Sequence, residues 1–172
     1  MRELARRLGV RAPSLYLYVE SREDLLLRLI ESGVAKLGAG QAAAFGAALP
    51  IRQRFHEGGR AYTSFANENP HLFPLIFGPC PDERRMDPDD AAAASRPLLD
   101  AIAEIVAPGD VLDVSQAFWS LVHGYATLAL NGQFVMGGNP EAALHRAIDL
   151  LLDALLADAA VTRRAPVAIL PA

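Results

Sequence analysis

The sequence has few of the features that mark secreted or membrane proteins. It contains one cysteine, Cys80, so no disulfide can form within the chain, and a reducing cytoplasm is the expected location. Met1 is followed at once by a charged stretch, which does not resemble a signal peptide. No apolar run reaches the length needed to span a membrane, so we expect no membrane partner.

Motifs of enzymes and metal sites are also missing. The four histidines, at positions 56, 71, 123 and 145, lack the spacing of metal ligands, and Cys80 has no ligand neighbours. The Gly-Ala-Gly at 38–40 is not followed by the Lys-Ser or Lys-Thr of a phosphate-binding loop, and no Gly-x-Ser-x-Gly occurs. We therefore expect no enzymatic activity, no cofactor and no metal site.

Strand patterns are nearly absent, and alanine and leucine dominate, which favours helices. Hydrophobic residues make up 52% of the 172 residues, enough for a real core. Glycine and proline divide the chain into helical blocks that begin near Ser21, Pro50 and Asp87, and two strongly periodic blocks lie on either side of Gly137 and Gly138. The expected fold is all-α.

Charge is unevenly distributed along the chain. Residues 1–22 hold five arginines against Glu3 and Glu20, a net charge of +3, whereas the remaining residues hold 11 bases and 18 acids, a net charge of −7. A basic head on an acidic body suits a protein that offers one end to DNA phosphates. A chance clustering of a few arginines fits the numbers equally well.

The first residues have the pattern of a helix-turn-helix, in which two short helices are held by a small hydrophobic knot. Leu4, Ala5 and Leu8 share one helix face, and Gly9 permits the left-handed backbone that ends a helix. Val10 and Leu15 are expected to close the knot. A generic helical hairpin would show the same spacing.

The segments ELARRLGV, PSLYLYV and SREDLL resemble the second, third and fourth helices of the TetR family of transcriptional regulators. The resemblance implies that Tyr16, Tyr18 and Arg22 bind DNA phosphates, while base edges and sugars meet Arg11, Pro13, Ser14 and Leu17. Phenol hydroxyls and a guanidinium suit phosphate oxygens, and an arginine can bond guanine bidentately. The alternatives are a core tyrosine at position 16 and a solvated cap residue at position 22.

The family's first helix, which would precede RELARRLGV, is missing from this sequence. We expect the 172-residue form to bind its double-stranded operator weakly or not at all.

The stretch AFWSLVHGYATLALNGQF is the most distinctive part of the body. Trp119 and His123 are four residues apart, hence on one helix face, and Gly124 removes a side chain beside them. The run resembles the Trp-His-Gly signature of one class of TetR-family C-terminal domains. We expect an effector pocket lined by Phe65, Phe77, Trp119 and His123; the alternative is that these residues are simply core.

The last two helices are expected to form a homodimer, as the resemblance implies. Leu144, Ile148, Leu151 and Leu155 make an apolar stripe suited to a subunit interface. The alternative is that this stripe faces the chain's own core.

These features together predict a helix-turn-helix head, without the family's first helix, on an antiparallel helical-bundle body. The expected divisions are a DNA-binding head with the start of a linking helix at 1–36, a ligand-binding and dimerisation domain at 37–160, and a loosely ordered tail at 161–172. The expected function is a ligand-responsive DNA-binding regulator, a repressor released by a small, largely apolar effector. The alternative is a helical-bundle small-molecule-binding protein that has lost DNA binding.

Overall fold

The computed structural model describes residues 1–78 and 88–164, and this part of the chain is all-α, as predicted. A 3₁₀ turn covers Pro108–Asp110. None of the described helices is both long and apolar enough to cross a membrane. The helices are α1 (Arg2–Arg7), α2 (Ala12–Leu15), α3 (Arg22–Phe45), α4 (Ile51–Glu68), α5 (Phe73–Phe77), α6 (Pro88–Ala103), α7 (Val111–Leu130) and α8 (Pro140–Arg164).

Local chemistry sets the ends of the first helices. Gly9 follows α1 with a φ of +68°, the left-handed conformation expected of it. Ser21 caps α3, since its Oγ accepts a hydrogen bond from the Asp24 amide at 3.0 Å, and the Asp24 carboxylate accepts one from the Glu20 amide at 2.8 Å. These two bonds, which tie Asp24 to both Ser21 and Glu20, fix where the long helix begins.

Helix α4 lies at the centre of the bundle and packs against α3, α7 and α8. Two glycines in its middle allow this close packing, because the Phe45 ring of α3 lies over Gly58 and the Ile148 side chain of α8 lies over Gly59. The buried residues form two clusters. The cluster nearer the head comprises Ile30, Val34, Leu37, Tyr62, Phe65, Ala66, Phe73, Ile76 and Ala126. The distal cluster comprises Phe45, Phe55, Ala101, Ile102, Ile105, Phe118, Leu144, Ile148 and Leu152.

A chain of polar contacts also joins α4 to α8. Arg52 Nη1 donates to Asp149 Oδ1 at 2.8 Å, and His56 Nε2 lies 3.0 Å from the same oxygen. The Nδ1 atoms of His56 and His145 are 2.8 Å apart. Two histidines that are 89 residues apart in sequence therefore share one hydrogen bond. Among the described residues, no group of three or more His, Cys, Asp or Glu is arranged to hold a metal ion.

The stripe expected at the subunit interface packs against the chain's own core. Leu144 and Ile148 are only 7% and 2% exposed, and Leu151 and Leu155 are half-buried against the same cluster. Leu144 and Ile148 therefore face the chain's own core, where α8 packs on α4 and α7. Dimer contacts by Leu151 and Leu155, which stay partly exposed, remain a prediction.

The other boundaries agree with the predicted blocks to within a few residues. The expected division at 36/37 falls inside α3, which continues through it without a break. Helix α8 ends at Arg164, so it covers the first four residues of the expected tail. Cys80, the expected helix start at Asp87 and residues 165–172 lie outside the described residues.

The close contact at Gly58 can be tested by adding one methyl group. A Cβ at position 58 would lie 2.5 Å from Phe45 Cζ, and that ring is held edge-on against Phe55 with centroids 5.3 Å apart. We expect Gly58→Ala to lower the free energy of unfolding by about 1–3 kcal/mol. The matched variant is Gly40→Ala in α3, where the new Cβ would lie 3.9 Å from Ala61 Cβ.

Gly40→Ala should raise the free energy of unfolding by roughly 0.5–1 kcal/mol through helix propensity. Denaturant unfolding measures both changes. A Gly58→Ala variant as stable as Gly40→Ala would contradict the packing described here.

Candidate functional site

A cavity of about 420 Å³ lies between α3 and the helices α4 to α7. Its walls are mainly aliphatic and aromatic, and its size is in the range of small-molecule sites. The lining side chains carry no formal charge among the described residues. They are Val34, Leu37, Gln41, Tyr62, Phe77, Ala94, Ser95, Leu98, Leu99, Leu112, Ser115, Gln116, Trp119 and Val122.

Tyr62 connects the cavity wall to a hydrogen-bonded pair on α7. Its hydroxyl oxygen accepts a bond from Trp119 Nε1 at 3.2 Å and lies 2.9 Å from His123 Nδ1. The Phe73 and Phe77 rings of α5 enclose His123, with centroids 5.4 Å and 5.0 Å from the imidazole. The aromatic cage therefore holds the tyrosine hydroxyl in one place on the wall.

Burial shifts the protonation of two members of this network. Desolvation raises the pKa of Tyr62 well above its ordinary value, so the phenol stays neutral. Desolvation also lowers the pKa of His123 below its ordinary value. A neutral His123 can accept a hydrogen bond from the Tyr62 hydroxyl at Nδ1, which agrees with the short contact between them.

The predicted pocket residues take different places. Phe77 and Trp119 line the cavity, and His123 lies behind the wall and bonds Tyr62. Phe65 does not line the cavity; it is buried in the core and packs near Phe73. The prediction is corrected at this position, because the side of α4 that bears Phe65 faces the core.

Tyr62 and Ser115 are among the wall residues that the sequence-based prediction of the pocket missed. The signal for Tyr62 was a tyrosine at helical spacing between Phe55 and Phe65. Nothing in the sequence distinguishes Ser115 from Ser120 five residues later, although the first is buried and the second exposed.

The head presents the predicted DNA-contacting residues at the other end of α3. Arg11, Pro13, Tyr16, Leu17, Tyr18 and Arg22 are exposed, and Ser14 is half-buried. Tyr16 is 52% exposed, so the alternative of a core tyrosine does not hold. Ala5 is buried between the two short helices, but Leu8 and Val10 are 60% and 45% exposed. The expected knot is therefore smaller than predicted, since helices of six and four residues cover little surface.

One helix joins the head to the cavity. Helix α3 begins directly after the head, and 12 residues after Arg22 its Val34 side chain reaches the cavity, followed by Leu37 and Gln41. The helix has no break between these points. The same uninterrupted helix therefore contributes to the cavity wall and adjoins the head.

Comparison with known proteins supports this architecture. A family model described as the tetracyclin repressor-like C-terminal domain matches residues 55–151, which contain most of α4 to α8. The chain belongs to the TetR family. The matched range runs from within α4 to the middle of α8, and the head lies outside it. No curated protein matches the chain.

Solved structures with the same fold include two relatives at about one-quarter identity. A protein of unknown function from Rhodococcus sp. RHA1 is 27% identical with a TM-score of 0.76, covering 90% of this chain and 84% of its own. A protein described as regulatory, SCO4313, is 26% identical with a TM-score of 0.74, covering 88% and 84%.

A regulatory protein in the TetR family from Rhodococcus RHA1 has a TM-score of 0.66 at 17% identity, covering 90% of this chain and 84% of its own. At that identity the likeness shows the fold alone. Together the family match and these structures make the chain a TetR-family regulator.

The depressed pKa of His123 predicts a pH dependence of stability. The folded protein binds a proton on His123 less tightly than the unfolded chain does. The neutral imidazole therefore contributes its full stabilisation above the ordinary histidine pKa of about 6.5, and the free energy of unfolding decreases as pH falls below that value. We expect His123→Gln to show a smaller loss of unfolding free energy between about pH 7.5 and pH 5 than the wild type.

The control is His71→Gln, because His71 is exposed in the turn before α5. Thermal unfolding across the pH range gives the comparison. If the His123 variant follows the wild-type curve, the buried neutral imidazole is not the cause.

Proposed function

We propose that this TetR-family regulator is a ligand-responsive DNA-binding protein, a repressor that acts as a homodimer and is released from its operator by a small, largely apolar effector. The observation that carries the proposal is the continuity of α3, which supplies Val34, Leu37 and Gln41 to the cavity wall and begins at the end of the head.

The coupling follows from how α3 is held. The stripe of Ile30, Val34 and Leu37 is buried against α4 and α5, whereas residues 22–29 bear the head and have no buried side chain. An effector that fits the cavity better in one position of α3 than in another would bias that position. The factor by which the effector changes DNA affinity is set by the ratio of its affinities for the two positions of α3.

The chemistry of the head supports DNA as the partner. Arg11 precedes the short helix α2 and is exposed, so its guanidinium is free to approach a base edge. Tyr16, Tyr18 and Arg22 follow α2 and offer exposed donors for phosphate oxygens. Arg22 has only Glu23 as an ion-pair neighbour, at 3.7 Å and in solvent, a contact weak enough to be exchanged for phosphate.

A dimer is supported by the outer faces of the last two helices. On α7 the solvent-facing positions Ala117, Ser120 and Gly124 are small, and a Cβ at Gly124 would meet nothing within 4 Å. On α8 the outer face, opposite the buried Ile148, is centred on Leu150, which is 52% exposed, and carries Ala143 and Ala154. Small residues let helices of two subunits approach closely, and two heads are needed to reach major grooves about 34 Å apart.

The first test concerns the head. Wild-type protein is used to select duplexes from a random-sequence library at about 50 mM salt, and affinities for the recovered and a scrambled duplex are measured by fluorescence anisotropy. Arg11→Ala should reduce the preference for the recovered duplex by about 1–3 kcal/mol. Arg22→Ala should weaken both duplexes alike and reduce the slope of log affinity against log salt by about 1.

The control is Arg60→Ala, since Arg60 is exposed on α4 and pairs only with Glu57. It should leave affinity, preference and salt slope unchanged. Full sequence preference in Arg11→Ala would contradict the assignment of that residue to base reading. The low salt of the selection allows for the weak binding expected of the 172-residue form. Failure to enrich any duplex even under these conditions would favour a small-molecule-binding protein that does not read DNA.

The second test concerns the subunit interface. Leu150→Glu places a charge on the outer face of α8, where burial against a partner would be costly, so we expect monomers in sedimentation velocity at micromolar concentration. Val135→Glu is the matched control, because Val135 is 83% exposed in the loop between α7 and α8. A dimeric Leu150→Glu variant, or a monomeric wild type, would refute the interface.

A further inference from the structure

One polar atom in the cavity wall has no bonding partner. Ser115 Oγ, on α7, is fully buried in a residue that is 6% exposed, and it makes no hydrogen bond. Among the described residues only Arg54 Nε shares this condition. Thr63 in α4 shows the usual solution, since its hydroxyl donates to the Gly59 carbonyl one turn earlier at 3.0 Å. Ser115 has no such bond, and Ser115 is one of the residues that line the cavity.

The other deeply placed polar groups of the wall already make hydrogen bonds within the protein. The Trp119 indole donates to Tyr62, and the Tyr62 hydroxyl is shared with His123. Gln41 Nε2 donates to the Gly58 carbonyl at 2.9 Å. Ser115 is therefore the buried wall group with its full hydrogen-bonding capacity available to a ligand.

Charge restricts the ligand further. No Asp, Glu, Lys or Arg lines the cavity in the described part of the chain. Tyr62 stays neutral because burial raises its pKa, and burial also disfavours the charged form of His123. An ionised ligand entering this space would lose its water and meet no opposite charge, which is costly.

We propose that the cavity takes an uncharged, mainly apolar molecule whose single oxygen-bearing group, a ketone or hydroxyl, hydrogen-bonds Ser115 Oγ. The inference rests on the proposed function, because it names the chemical class of the effector of the same cavity. Ser115 is the residue that orients the ligand and selects for a polar atom at this depth. Its bond to the ligand satisfies a hydroxyl that the fold itself leaves without a partner.

The test uses two probes with the same carbon chain, nonan-2-one and nonanoate. Trp119 is the only tryptophan of the chain and lines the cavity, so its fluorescence reports binding directly. At about pH 7.5 the ketone should bind and the anion should bind more than about tenfold more weakly. Ser115→Ala should weaken ketone binding about three- to tenfold, the value of one neutral hydrogen bond.

Ser32→Ala is the matched control, because Ser32 is an exposed helical serine that does not line the cavity. It should bind the ketone as the wild type does. Ser115→Ala should unfold at the same temperature as the wild type or higher, since it removes an unpartnered buried hydroxyl. That result separates a lost ligand contact from a damaged fold.

The possible failures are distinguishable. Equal binding of nonanoate and nonan-2-one overturns the uncharged ligand class but leaves the cavity as the effector site. Unchanged ketone affinity in Ser115→Ala overturns the role of this hydroxyl. If neither probe changes the Trp119 fluorescence or binds by calorimetry, the cavity is not a site for apolar effectors, and the proposed function fails with it.

Discussion

The burial of one stripe of α3 against α4 and α5 is the interaction on which the other parts of the structure depend. Ile30, Val34 and Leu37 lie on this stripe and are almost fully covered. The same helix begins at the hydrogen bonds that Asp24 makes with Ser21 and Glu20, directly after the head. The packing of the stripe therefore determines where the head is placed. Because Val34 and Leu37 also line the cavity, any ligand there competes with the packing that holds the helix.

The two ends of α3 differ in how they are held. Its C-terminal end is held near Phe45 by the Phe55 ring, and Arg54 bonds both the Phe45 carbonyl and the Glu104 carboxylate, which also lowers the pKa of Glu104. Its N-terminal end is attached only to the head, where Ala5 is the single buried residue of α1 and α2. In the proposed function, a small displacement of α3 at the cavity would become a larger displacement at the head.

The cavity wall combines a group of packed aromatic rings with one buried hydroxyl, that of Ser115, which has no hydrogen-bond partner. Tyr62, Trp119 and His123 use their polar atoms on one another, so this side of the wall is internally satisfied and offers mainly ring surface. Ser115 is the opposite case, a hydroxyl whose bonding capacity is unused. In the proposed function, such a wall would distinguish ligands by apolar fit and by one hydrogen bond.

The sequence alone determined the all-α fold, the approximate helix ends, the family and the exposed head, because these depend on short-range patterns: helical periodicity, a serine cap and a glycine at positive φ. The tertiary structure decided which side of each helix faces the core, the cavity or the solvent. Leu144 and Ile148 turned inward although their spacing suited a dimer, and Phe65 entered the core while Tyr62 reached the cavity. Ser115 and Ser120 differ in burial for the same reason. A helical pattern states which residues share a face, but only the positions of the neighbouring helices determine whether that face meets core, ligand or solvent.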